Sequence, residues 1–307
     1  MTIPNLPSFV DIHSDVLNAL NSGTPIVALE STIITHGMPF PDNVEMASSV
    51  ETLISNNGVV PATIAVIDGR IKIGLTSGEL TQLAKVKNAL KISRADMAFA
   101  ISQGKTAGTT VAATMIIARM AGIRIFATGG IGGVHRGAET NFDISADLTE
   151  LGKTDVLVVA AGAKAILDVP KTLEVLETQG VPVVGYQTDS LPAFWTRESN
   201  LDVPLRMDST SQISDFMKVR DELNLNSGIL IANPIPEIDE IPAKIINSYI
   251  EKAQAEMENN NISGKQVTPF LLKRIFELSN GSSLISNIAL VKNNAYIAAK
   301  IAKNFYK

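Results

Sequence analysis

The sequence predicts an α/β protein built as a three-layer α/β/α sandwich around a mixed central sheet. Two observations carry that expectation. Short apolar runs that read as strands covered on both faces alternate with helical segments. One pair of runs is joined by Asp68-Gly69, a two-residue turn that makes its flanking strands antiparallel, so the sheet cannot be wholly parallel.

Taken in order, Pro25 to Leu29 is an apolar strand that runs directly into Glu30 and places that carboxylate at a strand's C-terminal end. Pro41-Asp42-Asn43 then opens an amphipathic helix ending near Gly58. Ala62 to Ile67 and Arg70 to Leu75 form the hairpin. A helix capped by Ser77 follows, then a short strand near Leu90 to Ser93 and a helix from about Thr110 that stops at Gly122. Ile123 to Ala127 and Val156 to Ala160 are continuous apolar strands ending in small residues, and Val181 to Tyr186 is another. The pattern weakens through Trp195, Arg197 and Arg206, and a strand returns at Gly228 to Ala232. The tail reads as helices over Ile241 to Glu258, Pro269 to Leu278 and Leu284 to about Ala302, separated by Asn259 to Asn261 and by Asn280-Gly281. In such sheets ligands gather at the strand C-terminal ends, where Glu30, Thr128 and Ala161-Gly162 all lie.

At 307 residues the chain suits one large core, and residues 1–307 are expected to form a single domain. A net charge of −5 without basic runs excludes a nucleic-acid polymer as partner, but a local cluster of donors can still hold a small anion. The absence of cysteine excludes disulfides, thiolate metal sites and a cysteine nucleophile. Met1 to Val10 lacks the features of a signal peptide, and the longest apolar runs, such as Val156 to Ala163, are too short to span a bilayer. A cytoplasmic protein without membrane association is therefore expected.

Thr128-Gly-Gly-Ile-Gly-Gly-Val-His-Arg-Gly137 follows directly on a buried strand and holds five glycines. Glycine lets the backbone approach a ligand and turn its N–H groups on an anion, with His135 and Arg136 beside it; a plain surface loop is the alternative. The loop is not a dinucleotide fingerprint, because His135 stands where glycine or alanine is needed. Gly104-Lys105-Thr106 likewise lacks the first glycine of a P-loop, since position 99 is Phe99. In Asp143-Ile-Ser-Ala-Asp147, Ser145 or Asp143 could cap a short helix, and the two carboxylates could instead hold a divalent cation that keeps most of its water. With only His13, His36 and His135 available, an oxygen-ligated Mg²⁺ or Mn²⁺ suits the chain better than a multi-histidine zinc site. Lys164 sits in Ala161-Gly-Ala-Lys-Ala165 among small residues. Desolvation there would leave a neutral amine able to form an imine with a sugar carbon, although a solvated lysine at a helix start reads almost as well. Lys91 is open in the same way, as a phosphate ligand or a surface charge.

Ala28-Leu-Glu-Ser-Thr-Ile-Ile-Thr-His-Gly37, Gly108-Thr-Thr-Val-Ala-Ala113, Ala127-Thr-Gly-Gly-Ile-Gly-Gly-Val-His-Arg-Gly-Ala-Glu139 and Asp143-Ile-Ser-Ala-Asp-Leu148 together closely resemble the pseudouridine-5′-phosphate glycosidase family, some members of which were first named for indigoidine pigment pathways. The resemblance continues through Leu173-Glu-Val-Leu-Glu-Thr-Gln-Gly180, Asn233-Pro-Ile-Pro236, Thr268-Pro-Phe-Leu-Leu272 and Leu290-Val-Lys-Asn-Asn-Ala295. It implies reversible cleavage of pseudouridine 5′-phosphate to uracil and ribose 5-phosphate, with a divalent cation, usually Mn²⁺, in a homotrimeric α/β/α protein. By matching motifs, Glu30 is similar to the family's proton donor and Lys164 to its imine-forming nucleophile. Asp143 falls on the metal position. Lys91, Val111, Ser145, Ala146 and Asp147 fall on substrate-contacting positions, and Thr128, His135 and Asn287 join that expected set. Two rivals remain from the residues alone: another lysine-imine lyase acting on a sugar phosphate, and a non-catalytic sugar-phosphate sensor.

Overall fold

The Asp68-Gly69 turn folds as its residues require, with φ of 48° and 75°, and Ile67 pairs with Arg70 across it. The computed structural model describes residues 6–262 and 264–307. In chain order the first elements are β1 (Val10–Ile12), α1 (Ser14–Ser22), β2 (Ile26–Leu29), one π-helical turn (Ile33–Gly37), α2 (Asp42–Asn56), β3 (Val60–Ile67), β4 (Arg70–Ile73), α3 (Ser77–Lys85) and β5 (Leu90–Ile92). The middle comprises α4 (Met97–Ser102), β6 (Ala107–Thr109), α5 (Val111–Met120), β7 (Ile125–Ala127), α6 (Ala138–Asn141), α7 (Ala146–Leu151), β8 (Leu157–Ala160), α8 (Val169–Thr178) and β9 (Val183–Tyr186). The rest is β10 (Leu205–Met207), α9 (Thr210–Glu222), β11 (Ile229–Ala232), α10 (Ala243–Asn259), α11 (Val267–Leu278) and α12 (Ser282–Phe305).

The mixed sheet has a specific layout. From β3 outward the order β3-β2-β7-β8-β11-β9-β10 is parallel throughout. β3 is long enough to serve two neighbourhoods. Val60 to Thr63 pair in parallel with β2, whereas Ile64 to Ile67 pair antiparallel with β4, and Ala65 and Val66 with β6 on the other side. The antiparallel content is thus confined to the hairpin wing. Every residue of β2, β7, β8 and β11 is buried, as parallel strands with helices on both faces must be. Parallel neighbours need helical crossovers, so the ends of β2, β7, β8 and β11 emerge along one edge.

Helix boundaries follow local chemistry. α3 is capped by Thr76 rather than Ser77, because Thr76 and Glu79 form a reciprocal capping box and so satisfy two end N–H groups at once. Thr110 caps α5 and Ser145 caps α7. α12 lies across β2, β7 and β8 with α2 and α9 beside it, and its Ala295, Ala298, Ala299 and Ala302 are buried, small side chains that let it approach the sheet closely. β1, α1, α4, β6, β10 and α9 lie in stretches whose sequence pattern predicts no element. Among the described residues no helix is long and apolar enough to cross a membrane.

Candidate active site

Strand register creates the centre of the site. Leu29 of β2 pairs with Ala127 of β7, so the next residues out, Glu30 and Thr128, stand side by side where both strands end. Thr128 Oγ1 donates a short hydrogen bond to Glu30 Oε1. On the far side of β7, β8 also continues past its last strand residue. Ile131 bridges Ala163, with Ile131 N donating to Gly162 O at 3.1 Å and Lys164 N to Ile131 O at 3.1 Å. That bridge delivers Lys164 to the same edge, where its Nζ donates to Gly130 O at 2.8 Å. Lys164 is not at a helix start: α8 begins at Val169, capped by Asp168, and Lys164 belongs to the half-buried connection before it.

Electrostatics ties these groups together. Glu30 keeps some accessible surface, yet its carboxyl group is packed round by neighbours, and burial is the dominant influence, pushing its pKa above the ordinary carboxylate value. Lys164, the Thr128 hydroxyl and Lys91 pull the other way, and the charge of Asp147 adds to the rise. His135 is held below the ordinary imidazole value by burial, against the pull of Asp143 and with the help of Lys91 and Lys164. Glu30, Lys91, His135, Asp143, Asp147 and Lys164 therefore act on one another within one cluster.

Several N–H groups of the glycine loop are engaged inside the protein. Gly132 N donates to Asp147 Oδ2 at 2.8 Å, Val134 N to Thr172 Oγ1 at 2.9 Å and His135 N to Asp143 O at 3.0 Å. The second oxygen of Asp147, Oδ1, accepts from Ala112 N at 2.9 Å in the first turn of α5. The loop thus grips a carboxylate belonging to the protein itself. Glycine is obligatory at 132, because a Cβ there would collide with Ser145 Oγ and Asp147 Oδ2.

This arrangement also changes the paired-carboxylate reading. Asp147 is 5% exposed and both its oxygens are engaged by backbone N–H groups, so it has no oxygen turned outward to share a cation with Asp143. Among the described residues no three histidine or acidic side chains are grouped to hold a metal. Asp143 alone, half-buried beside His135, fits an ion that keeps most of its water shell.

The remaining expected contacts surround this cluster. Val111 is the buried first residue of α5, and Ser145 and Ala146 form the start of α7, with Ser145 Oγ accepting from Asp147 N at 3.2 Å. Asn287 lies two turns before Asn294 on α12, and its Oδ1 is buried with no hydrogen-bond partner. Three residues escaped sequence reasoning. His36 closes the π-helical turn after Glu30 and stands near Lys91, with Thr35 Oγ1 2.7 Å from its Nδ1. Asn294 is a buried amide that reaches the end of β7, and Asn233, also buried, donates its side-chain N–H to Asn294. The only available signal for the last two was their place inside motifs already singled out.

Comparison with known proteins adds an independent line. The family model described as "Indigoidine synthase A like protein" matches residues 15–304. A protein from Dinoroseobacter shibae named pseudouridine-5′-phosphate glycosidase is 74% identical over 298 residues, covering 97% of this chain and 98% of its own. One of the same name from Mesorhizobium japonicum is 61% identical, covering 96% and 97%. Among solved structures, the prealnumycin C-glycosynthase AlnA in complex with ribulose 5-phosphate superposes with a TM-score of 0.90 at 36% identity, covering 98% of each chain. An indigoidine synthase A-like protein from Thermotoga maritima does so with a TM-score of 0.90 at 32% identity over 100% of both chains.

Proposed function

The chain belongs to the indigoidine synthase A-like protein family, and we propose that it cleaves the C–C glycosidic bond of pseudouridine 5′-phosphate reversibly, giving uracil and ribose 5-phosphate through an imine on Lys164. The observation that carries the chemical part is the convergence of Glu30 and Lys164 on one edge of the sheet, from the two sides of β7, a carboxyl group whose pKa burial raises and a primary amine that acts on it. The sugar phosphate and the C-glycosidic bond are supported by the relatives, which include a pseudouridine-5′-phosphate glycosidase and a C-glycosynthase in complex with ribulose 5-phosphate.

An O- or N-glycosidase protonates a lone pair on its leaving atom, which a carbon-linked base does not offer. The sugar carbon must instead become an electron sink. Lys164 Nζ, as the free amine, attacks C1′ of the ribose. The C1′–O4′ bond breaks, and O4′ takes the proton of Glu30. The attached nitrogen then gives a proton back to the Glu30 carboxylate. Once C5 of the uracil ring has gained a proton, the C1′–C5 bond breaks: its electron pair restores the uracil ring, and the nitrogen lone pair forms the C1′ iminium. Water adds to C1′, the C–N bond breaks, and ribose 5-phosphate leaves with Lys164 restored.

The phosphate lies far from the reacting carbon and supplies binding energy that orients it. Lys91, His135 and the turn Ser145 to Asp147 are the candidate groups for substrate, and Asn287 brings an unpaired buried acceptor. A divalent cation such as Mn²⁺ would be held by Asp143 and would supply positive charge beside the anionic substrate. A trimeric assembly belongs to the same reading, with each subunit carrying its own Glu30 and Lys164.

Incubating the protein with pseudouridine 5′-phosphate, with and without Mn²⁺, and following uracil by chromatography tests the proposal. Uracil and ribose 5-phosphate in equal amounts are expected. Aldehyde fragments without uracil would turn the reading to another lysine-imine lyase, and binding without turnover would turn it to a sensor.

A further inference from the structure

Two buried amides tie three strand ends together behind the acid. Asn294, on α12, is fully buried, and Asn233, just past β11, is 3% exposed. Asn294 Nδ2 donates to Thr128 O at 2.8 Å and to Gly129 O at 3.2 Å, and its Oδ1 accepts from Asn233 Nδ2 at 2.9 Å. Asn233 N donates in turn to Ala160 O at the end of β8, at 2.8 Å. Thr128 N donates to Val159 O at 3.0 Å. The peptide groups on both sides of Thr128 are therefore fixed, which leaves its side chain little freedom except to face Glu30 on the adjacent strand. Burying amides in this way is costly unless their bonds are made, and here Asn294 Nδ2 serves main-chain carbonyls beside the acid while Asn233 Nδ2 serves Asn294.

We propose that Asn294, itself held by Asn233, is a positioning residue for Glu30: by anchoring the main chain at Thr128 and Gly129 it keeps Thr128 Oγ1 donating into Oε1, so that the reactive proton resides on Oε2. The inference rests on Glu30 being the acid of the reaction. Asn294 touches no reacting atom and works through Thr128. The groups that act on Glu30 come from every element around it: Lys164 from the connection after β8, Thr128 from the end of β7, Asp147 from α7 and Lys91 from β5. Of these, Thr128 is the one whose own main-chain carbonyl Asn294 holds.

The Thr128 hydroxyl favours the ionised form of Glu30, so losing its bond makes Glu30 a weaker acid. Glu30 must be protonated to act, and the alkaline limb of the kcat/KM profile marks where that proton is lost. Asn294→Ala should move the limb to higher pH by about half to one unit, the scale of one such bond. Thr128→Val, which keeps the shape and removes the donor, should move it in the same direction. The double variant should move it no further than Thr128→Val alone, since both act through one bond. Circular dichroism on each variant verifies folding, and Asn233→Ala, which removes the donor that holds Asn294, carries the test if Asn294→Ala does not fold: it should move the limb in the same direction, and an unmoved limb overturns the proposal.

Glu30→Gln separates this inference from the reading beneath it. If Glu30→Gln keeps both substantial activity and the alkaline limb, the acid assignment itself fails. If Glu30→Gln abolishes the limb while folded Asn294→Ala leaves it unmoved, the acid stands and the positioning role of Asn294 is overturned. An additive shift in the double variant, or an unmoved limb in Thr128→Val, also overturns it.

Discussion

Replacing Asp147 with asparagine tests whether the glycine loop is built around an internal carboxylate. The carboxylate accepts Ala112 N–H at 2.9 Å on one oxygen and Gly132 N–H at 2.8 Å on the other. The Asp147→Asn side chain would keep one oxygen acceptor and turn its NH₂ group toward the other N–H, so one charge-assisted bond is lost and a buried donor is left unpaired. Bonds to a charged group contribute about 1.5–3 kcal/mol and an unpaired buried donor costs about 1–3 kcal/mol, which makes about 2–4 kcal/mol a fair expectation for the two overlapping terms. At about 2 cal/mol/K per residue, a chain of 307 residues has an unfolding entropy of roughly 0.6 kcal/mol/K, so Tm should fall by about 3–6 °C. Scanning calorimetry at neutral pH reads this directly. The same variant removes a negative charge that raises the Glu30 pKa, so its alkaline activity limb should move to lower pH, opposite in sign to the effect expected for Thr128→Val. A Tm within about 1 °C of the parent, together with an unmoved limb, would refute the argument that Asp147 is clamped and acts on Glu30.

Borohydride added with ribose 5-phosphate should leave a reduced adduct on Lys164, located by mass spectrometry of peptides; the Lys164→Ala protein should trap none, and equal trapping would remove Lys164 from the covalent role. Asn287→Ala breaks no internal bond at Oδ1, so Tm should stay within about 1 °C while KM rises roughly tenfold, the scale of one hydrogen bond. Chelation with EDTA should lower activity and Mn²⁺ restore it, whereas Asp143→Asn should show no Mn²⁺ binding by calorimetry; undiminished binding would place the metal elsewhere. Because Glu30 has a raised pKa in the folded protein, its protonated form contributes stability that is fully present below the ordinary value near 4.5 and is lost as pH climbs through the folded pKa. As pH rises above about 4.5 the parent should therefore lose more stability than Glu30→Gln, as measured by urea unfolding at each pH.

The fold was legible where local chemistry and periodicity agreed. Asp68-Gly69 determined the hairpin, and the apolar runs at β2, β7, β8, β9 and β11 announced a buried parallel sheet. α9 was hidden because its apolar residues are sparse, with Ile213 and Met217 among polar and charged neighbours, and β10 because it is three residues long and largely exposed at the sheet edge. Glu30 and Lys164 could be placed at strand ends, but not beside one another, since strand order is set by tertiary packing. The glycine loop shows the same limit. Five glycines signalled a close approach without saying whether the approaching group was a ligand or Asp147.

That last distinction decides how the site works. A loop that gripped only substrate would leave the acid's environment to change whenever the ligand left. Asp147 is instead fixed by two backbone N–H groups on different elements, one in the loop and one in the first turn of α5, and its charge acts on Glu30. Burial and Asp147 hold the proton on Glu30, while Lys164, Lys91 and Thr128 draw it off. The opposing influences come from β5, from the ends of β7 and β8 and from α7, so small displacements of any one element shift the balance. Lys164 changes its own contribution during the proposed reaction: it attacks as the neutral amine, and its nitrogen gains positive charge as the N–C1′ bond forms. That charge loosens the hold of Glu30 on its proton as O4′ begins to carry negative charge, and proton transfer is thereby coupled to C–O cleavage rather than preceding it.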